Sequence, residues 1–545
     1  MLFLRPLNTK ARYKEGGREM IRLTFASSGI CATICLMNRF PFARGLAMLS
    51  VLAMTPGIFA ADTPEIRTPK SSPAPHINGP SVFGVRPGAP FLYHIPVSGV
   101  RPIEFEVPGL PEGLNFDFKL GEITGSLKER GTCFVKVRAK NAKGLFEKTL
   151  RIVVGETIAL TPPMGWNSWN CWGSRVDAEK VLKSAHGMVN SGLINHGWTY
   201  INIDDAWQGK RGGAFNGIQG NDKFPDMKGL CEQIHGMGLK AGIYSTPWTT
   251  SYANYIGGSA ENSEGTWSKP TVPKRGNVNK KILPWAVGKY SFATNDARQW
   301  AEWGIDYLKY DWNPNELPET EEMNGALRSS GRDIVLSLSN STPFTNAPAL
   351  SKIANCWRTT GDIRDTWESM SKKGFGEDKW EPFMRPGHWN DPDMLVVGQV
   401  GWGSPHPTKL TPDEQYTHIT LWCLLSAPLL LGCDLDQLDD FTLNLLTNDE
   451  VLAVNQDALG KQALTISKDG ELRVYAKDLE DGSMAVGLFN LGDAKANVTA
   501  NWSDLKLSGK HVVRDLWRQK DLGEFSGKFE ISVAPHGAEL IKIQK

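Results

Sequence analysis

This chain has almost no net charge. The 60 Lys and Arg are balanced by 59 Asp and Glu, a formal charge of +1, so electrostatics give no case for nucleic acid or an anionic surface as the main partner. Cysteine is scarce, at 8 in 545 residues, and no C-x-x-C pair or Cys/His metal spacing occurs. No metal and no cofactor is expected. An exported chain can form disulfide bonds, but Cys133, Cys171, Cys231, Cys356, Cys423 and Cys433 are far apart in sequence. Buried free thiols are therefore the default expectation. Long apolar runs are missing too. The stretch 45–58 is too short to span a bilayer.

That stretch reads instead as the apolar region of a signal peptide. Arg39 and Arg44 precede it, and Ile58-Phe-Ala-Ala61 offers a small-residue cleavage site. A periplasmic or secreted location follows, with no stable membrane insertion after cleavage; a retained anchor is the alternative. Residues 1–36 are basic and irregular, so 1–60 is assigned to an upstream extension and signal peptide. The length argues for roughly two to four domains. The 19 tryptophans suit recognition of flat sugar faces, although large barrel cores use tryptophan as well.

Residues 61–79 are rich in Pro, Ser and Thr without apolar periodicity, and read as an extended linker. Residues 80–155 show short alternating strands with turns between them, the pattern of a small β-sandwich. Pro108-Gly-Leu-Pro-Glu-Gly-Leu114 followed by Gly121-Glu-Ile-Thr-Gly125 resembles the immunoglobulin-like modules of secreted enzymes. Over 160–456 short apolar strands alternate with amphipathic segments, which predicts a (β/α)8 TIM barrel. Its eight strands are expected at 164–169, 200–205, 240–245, 307–311, 333–339, 356–360, 388–395 and 427–432. Thr411-Pro-Asp-Glu414 predicts a capping box with Pro at N1. Residues 245–295 lack periodicity and read as a long lid over the active face. Alternation returns over 457–545, a C-terminal antiparallel β-sandwich. The fold class is thus multidomain, a central TIM barrel flanked by two β-sandwiches.

Barrel active sites lie at the C-terminal ends of the strands. Polar groups gather there: Trp166, Asp204 with Asp205, Tyr244, Lys309 with Asp311, Ser339 with Asn340, Arg358 with Asp362, and Asp391 with Asp393. Lys309 and Asp311 share one strand face, and a lysine beside an aspartate keeps it ionised, as a nucleophile requires. Alone, the pair reads more readily as an ordinary strand-end ion pair than as a catalytic group. Several carboxylates at one mouth are costly unless a ligand or metal uses them. Two chemistries use such a cluster. A retaining glycosidase needs two carboxyl groups about 5–5.5 Å apart. A metal-dependent enzyme would use Asp204, Asp205, Asp391 and Asp393 as ligands, but His388 is the only histidine at a strand end.

The run of motifs resembles glycoside hydrolase family 27, the α-galactosidase family. The matching stretches include Thr161-Pro-Pro-Met-Gly-Trp-Asn-Ser-Trp169, Tyr200-Ile-Asn-Ile-Asp-Asp-Ala-Trp207, Tyr307-Leu-Lys-Tyr-Asp311, Trp357-Arg-Thr-Thr-Gly-Asp-Ile363 and Trp389-Asn-Asp-Pro-Asp-Met-Leu395. The resemblance implies a cofactor-free retaining glycosidase acting on a carbohydrate. It implies Asp311 as nucleophile and Asp362 as acid/base, with Asp204 and Asp205 on the sugar's 4- and 6-hydroxyls. Trp166, Tyr244, Lys309, Arg358, Asp393 and Met394 match other pocket positions. The family's usual disulfide beside the pocket is absent, with Asn313 at one of its positions and no cysteine in the loop after residue 245. Its usual Cys-Glu-Trp is replaced by Ser337-Leu-Ser-Asn-Ser341, so either Asn340 or Ser341 stands where the Glu would. The expected activity is release of terminal α-linked galactose. A β-L-arabinopyranosidase or α-N-acetylgalactosaminidase is the alternative, and a non-catalytic sugar-binding protein or metal-dependent enzyme is a more distant one.

Overall fold

The structure, a computed structural model, describes residues 9–15, 18–27, 30–36, 64–270 and 285–545, the first three segments as backbone. The expected signal peptide lies outside the described residues. Residues 1–63 are one compact unit and 64–545 another. In the first, the stretch expected to be irregular forms three antiparallel strands, Thr9–Glu15, Arg18–Ser27 and Ile30–Leu36. Its basic composition hides a period of two, in which Ile21, Leu23 and Phe25 alternate with Arg22 and Thr24.

In the second unit a β-sandwich comes first. A four-stranded sheet, with Gly131–Asn141 and Gly144–Val154 at its centre, faces a three-stranded sheet made from Pro90–His94, Glu122–Ser126 and Leu114–Asp117. Apolar residues that alternate along these strands, such as Val135, Val137 and Ala139, meet in one core.

The barrel has its eight strands where the periodicity puts them. They are β1 Met164–Asn167, β2 Tyr200–Asn202, β3 Lys240–Ser245, β4 Ile305–Asp311, β5 Val335–Ser339, β6 Cys356–Arg358, β7 Trp389–Asp391 and β8 Leu429–Leu431. All pairings are parallel, in the order β7, β6, β5, β4, β3, β2, β1, β8. A bridge from Leu395 to Leu431 just beyond β7 closes the ring. The interior leaves no room at Gly242 on β3, where a Cβ would fall 1.9 Å from Asn202 Oδ1. The helix Pro412–Leu424 starts at Thr411 with the expected capping box. It is buried on every side between barrel and C-terminal sandwich, which explains its lack of a polar face.

The C-terminal domain pairs a six-stranded antiparallel sheet with a two-stranded one made from Ala496–Asn501 and Lys528–Val533. The tryptophans serve mainly as core. Trp198, Trp300, Trp380, Trp389, Trp502 and Trp517 are among those fully buried, so their abundance reflects packing rather than sugar platforms. The six cysteines of residues 64–545 are free thiols, and no disulfide forms among them.

Two expectations need correction. The linker is not free where it is described. The Arg67 N–H donates to Tyr416 Oη at 2.9 Å, its guanidinium donates to Ala538 O and Asp413 Oδ1, and the Thr68 hydroxyl donates to Asn444 O. Composition reveals a lack of local structure, not docking onto partners more than 300 residues away. The connection after β3 is also ordered where described. Trp248 bridges Val287, Thr250 bridges Ile256, and Ser259–Ala260 pairs with Tyr290–Ser291. Single bridges and two-residue strands leave no periodicity to read. No helix among the described residues is long and apolar enough to cross a membrane.

Replacing Arg67 by Ala removes a buried guanidinium and its hydrogen bonds. It should cost about 1–3 kcal/mol, seen as a lower melting temperature in calorimetry; an unchanged transition would show that the strap bears no load.

Candidate active site

The C-terminal ends of the strands bring the predicted residues together around two buried cations. Lys309, on β4, points into the barrel. Its Nζ lies 2.8 Å from Asp204 Oδ2 and 3.9 Å from Asp311 Oδ2. The lysine therefore pairs mainly across the barrel with the end of β2, not with its neighbour on β4 as strand alternation suggests. Alternation fixes which face a side chain takes, but the length of lysine lets it choose among carboxylates on that face. Asp311 Oδ1 is buried without a hydrogen-bond partner. An orphaned carboxylate oxygen at a barrel mouth is a group for a ligand to meet.

Arg358, at the end of β6, is the second cation. Its Nη2 lies 2.6 Å from Asp393 Oδ2 and 3.4 Å from Asp362 Oδ1. Asp393 is fixed further by N–H groups of Ile363 at 2.6 Å and Met394 at 2.7 Å. Asp362 is the exposed member of the group, with about half of its side chain open to solvent. It is thus placed to trade protons with something at the mouth, while Asp311 is 6% exposed.

Asp205 is buried and held by several donors, the Ser251 hydroxyl among them. Ala206 N donates at 2.7 Å, Gln208 Nε2 at 3.0 Å and Ala253 N at 2.8 Å. Ser168 Oγ accepts from Asp204 N. Sequence reasoning missed Gln208, Ser168 and Ala253. Gln208 lies only three residues past Asp205 and could have been flagged, whereas the Ala253 contact is made by backbone and leaves no trace in residue type.

Trp166 is fully buried and donates to Cys433 O at 2.7 Å. Tyr244 Oη is buried without a partner, and Lys309 Nζ sits 5.7 Å from the ring centre. Met394 is buried beside Leu430 and Tyr307 in a small apolar cluster. The two candidates at the end of β5 differ. Asn340 is tied through its backbone, whose carbonyl accepts from Asn313 Nδ2 at 2.8 Å. Ser341 has φ 68 and places Oγ 3.4 Å from the position of a Cβ on Gly361, next to Asp362. Asn313 therefore joins the ends of β4 and β5. His388 Nδ1 donates to Ala354 O at 2.8 Å and takes no part in the cluster.

Burial dominates the protonation of these groups. It pushes Asp311 up to about 7, against the pull of Lys309 and with the help of the charge on Asp362. Asp391 is raised to about 6, again mainly by burial. Burial acts upward on Asp362 too, but Arg358, Lys309 and Arg364 together hold it below the usual carboxylate range. Burial thus favours a proton on Asp311, and the facing cations disfavour one on Asp362. Lys309 pulls Asp311 toward the ionised form as the sequence suggests, but burial outweighs that pull, and the shortest contact of Lys309 goes to Asp204.

The chain is similar to known proteins over most of its length. The alpha galactosidase A family profile matches residues 161–265 and 276–457, and the alpha galactosidase C-terminal β-sandwich profile matches 469–543. An immunoglobulin-like domain profile matches 74–155. Alpha-galactosidase 2 of Arabidopsis thaliana is 37% identical over 403 residues, which cover 72% of this chain and 92% of that protein. A Bacteroides fragilis structure, described as a candidate alpha-galactosidase/melibiase, superposes with a TM-score of 0.78 at 33% identity, over 88% of this chain and 100% of its own. A β-L-arabinopyranosidase from Geobacillus stearothermophilus superposes with a TM-score of 0.60 at 29% identity, over 71% of this chain and 97% of its own.

The Asp311–Asp362 pair keeps one proton until the pH exceeds the raised value of Asp311, and a two-carboxylate mechanism needs that proton. Turnover should therefore fall as pH rises through about 7, with kcat/KM losing roughly tenfold per pH unit above it. A pH–rate profile flat to pH 9 would contradict this.

Proposed function

This chain belongs to the alpha-galactosidase A family, glycoside hydrolase family 27, and from that premise we propose that it releases terminal α-linked galactose by a retaining, two-aspartate mechanism. The observation that carries the reading is Asp311 Oδ1, buried and unpartnered beside the exposed Asp362. On this reading Asp311 attacks and Asp362 exchanges protons with the leaving group.

In the proposed reaction Asp311 attacks the anomeric carbon while Asp362 gives its proton to the glycosidic oxygen. The leaving alcohol departs, and the sugar is held as an ester on Asp311. Asp362, now ionised, takes a proton from water, which attacks the same carbon and frees the sugar with its configuration retained. Asp204 and Asp205 present fixed acceptors for the sugar's hydroxyls, and Tyr244 Oη supplies a free donor. Lys309 and Arg358 keep the surrounding carboxylates neutralised. The shuttling proton is already in the pair. A sugar covering Asp362 removes its water and raises its affinity for the proton, so binding favours transfer from Asp311 to Asp362.

A β-L-arabinopyranosidase is the second reading, favoured by the superposition on such an enzyme. That sugar has the galactose ring without its hydroxymethyl group. Galactose is preferred here because both acceptors attributed to the 4- and 6-hydroxyls, Asp204 and Asp205, are present and rigidly held. We further propose export, which rests on the signal-peptide pattern ending near Ala61.

Asp311→Ala should lower kcat on a nitrophenyl α-galactoside by about a thousandfold or more, and full activity in that variant would sink the assignment. A 2-fluoro sugar should trap a covalent adduct on Asp311, read by peptide mass spectrometry; labelling elsewhere would displace it as nucleophile. In a panel of aryl glycosides the α-galactoside should be turned over faster than the β-L-arabinopyranoside and the α-N-acetylgalactosaminide, undiminished by EDTA.

A further inference from the structure

The loop after β3 reaches the active site at one tight turn. Asn254 N donates to Ser251 O at 3.1 Å, and Ser251 N to Tyr255 O at 2.8 Å. The turn is fastened on two sides. Ala253 N donates to Asp205 Oδ2 at 2.8 Å, inside the site, and Trp285 Nε1 donates to Ser251 O at 3.4 Å, outside it. Between these anchors stands Tyr252. Its ring meets Trp248 edge to face at 5.1 Å between centroids, and it is only half-buried.

From this placement we propose that Tyr252 forms the wall of the leaving-group subsite and selects substrates whose leaving group is itself a sugar. The proposal rests on the galactosidase reading above. Asp362, which would protonate the leaving group, is the exposed carboxylate of the pair, so the leaving group must lie on its side of the mouth. Tyr252 senses the charges of both Asp311 and Asp362, which with burial hold its phenol well above its ordinary value. It stays a neutral donor throughout the working range. A half-open aromatic ring with two side-chain torsions, braced by a tryptophan, offers a pyranose a flat face to stack on at little entropic cost. Asn313 is committed to Asn340, so the wall here is this aromatic turn and is held without a covalent link.

The test compares leaving groups. An α-galactosyl disaccharide fills the subsite, whereas α-galactosyl fluoride leaves it empty and needs no stacking. Tyr252→Ala should lower kcat/KM on the disaccharide by about tenfold or more, mostly through KM, and change turnover of the fluoride by less than about twofold. Tyr252→Phe should keep most of the disaccharide activity. Equal losses on both substrates, or none on either, would overturn the subsite. Wild-type protein that turns over neither substrate would instead overturn the galactosidase reading, and the subsite with it.

Discussion

Two buried cations govern the mouth of this barrel. Lys309 and Arg358 are the charges that face Asp204, Asp311, Asp362 and Asp393 directly, with Asp391 behind them. Ionising every one of these carboxylates in a buried setting would leave more negative charge than Lys309, Arg358 and the nearby Arg364 can balance. The site settles this by division. Asp204 and Asp393 take the short ion pairs, and Asp205 takes N–H donors. Burial still raises Asp205 and Asp393, and it raises Asp311 and Asp391 to about 7 and about 6. A proton is thereby stored where the proposed chemistry needs one, as a result of having too few cations for the carboxylates.

That division depends on geometry imposed from behind. Indole N–H groups hold the backbone of the strand ends, with Trp207 donating to Tyr244 O, Trp422 to Asp393 O and Trp166 to Cys433 O. Asp393 sits at φ 117 and Ala206 at φ 91, values that disfavour side chains with a Cβ. Both are held there by hydrogen bonds that aim carboxylates inward: Asp393 by its own carboxylate contacts, and Ala206 by donating to Asp205. These tryptophans therefore help position the polar cluster at the mouth.

The barrel was legible because burial on both faces writes continuous apolar runs, and the polar residue that ends each run marks the mouth. Asp311, Asp204 and Arg358 could be found this way, and the motifs around them named a family. What was not legible depended on reach or backbone. Nothing in Tyr-Leu-Lys-Tyr-Asp tells that Lys309 prefers Asp204, because the choice is made between strands far apart in sequence. Nothing in a Pro- and Ser-rich tail shows Arg67 in a buried slot, and nothing in the irregular loop after β3 shows Ala253 N on Asp205. Tryptophan content pointed toward sugars, whereas the observed tryptophans mostly fill cores.

The remaining step is how a site with its proton on the wrong aspartate could work. With Asp311 the holder and Asp362 ionised, the empty pocket is one proton transfer away from the reactive form. Both forms carry the same total charge, so the balance set by Lys309 and Arg358 is undisturbed by the exchange. What separates them is charge and solvation. Asp362 is favoured as the anion because Arg358, Lys309 and Arg364 face it, and Asp311 is favoured as the acid because burial outweighs the pull of Lys309. A substrate changes the solvation part, by covering the half-open side chain of Asp362 with its leaving group. Tyr252, fixed on the loop that also holds Asp205, is well placed to complete that cover. On this reading the choice of leaving group and the readiness of the acid are one property, since the group that best fills the mouth is also the one that best dries Asp362.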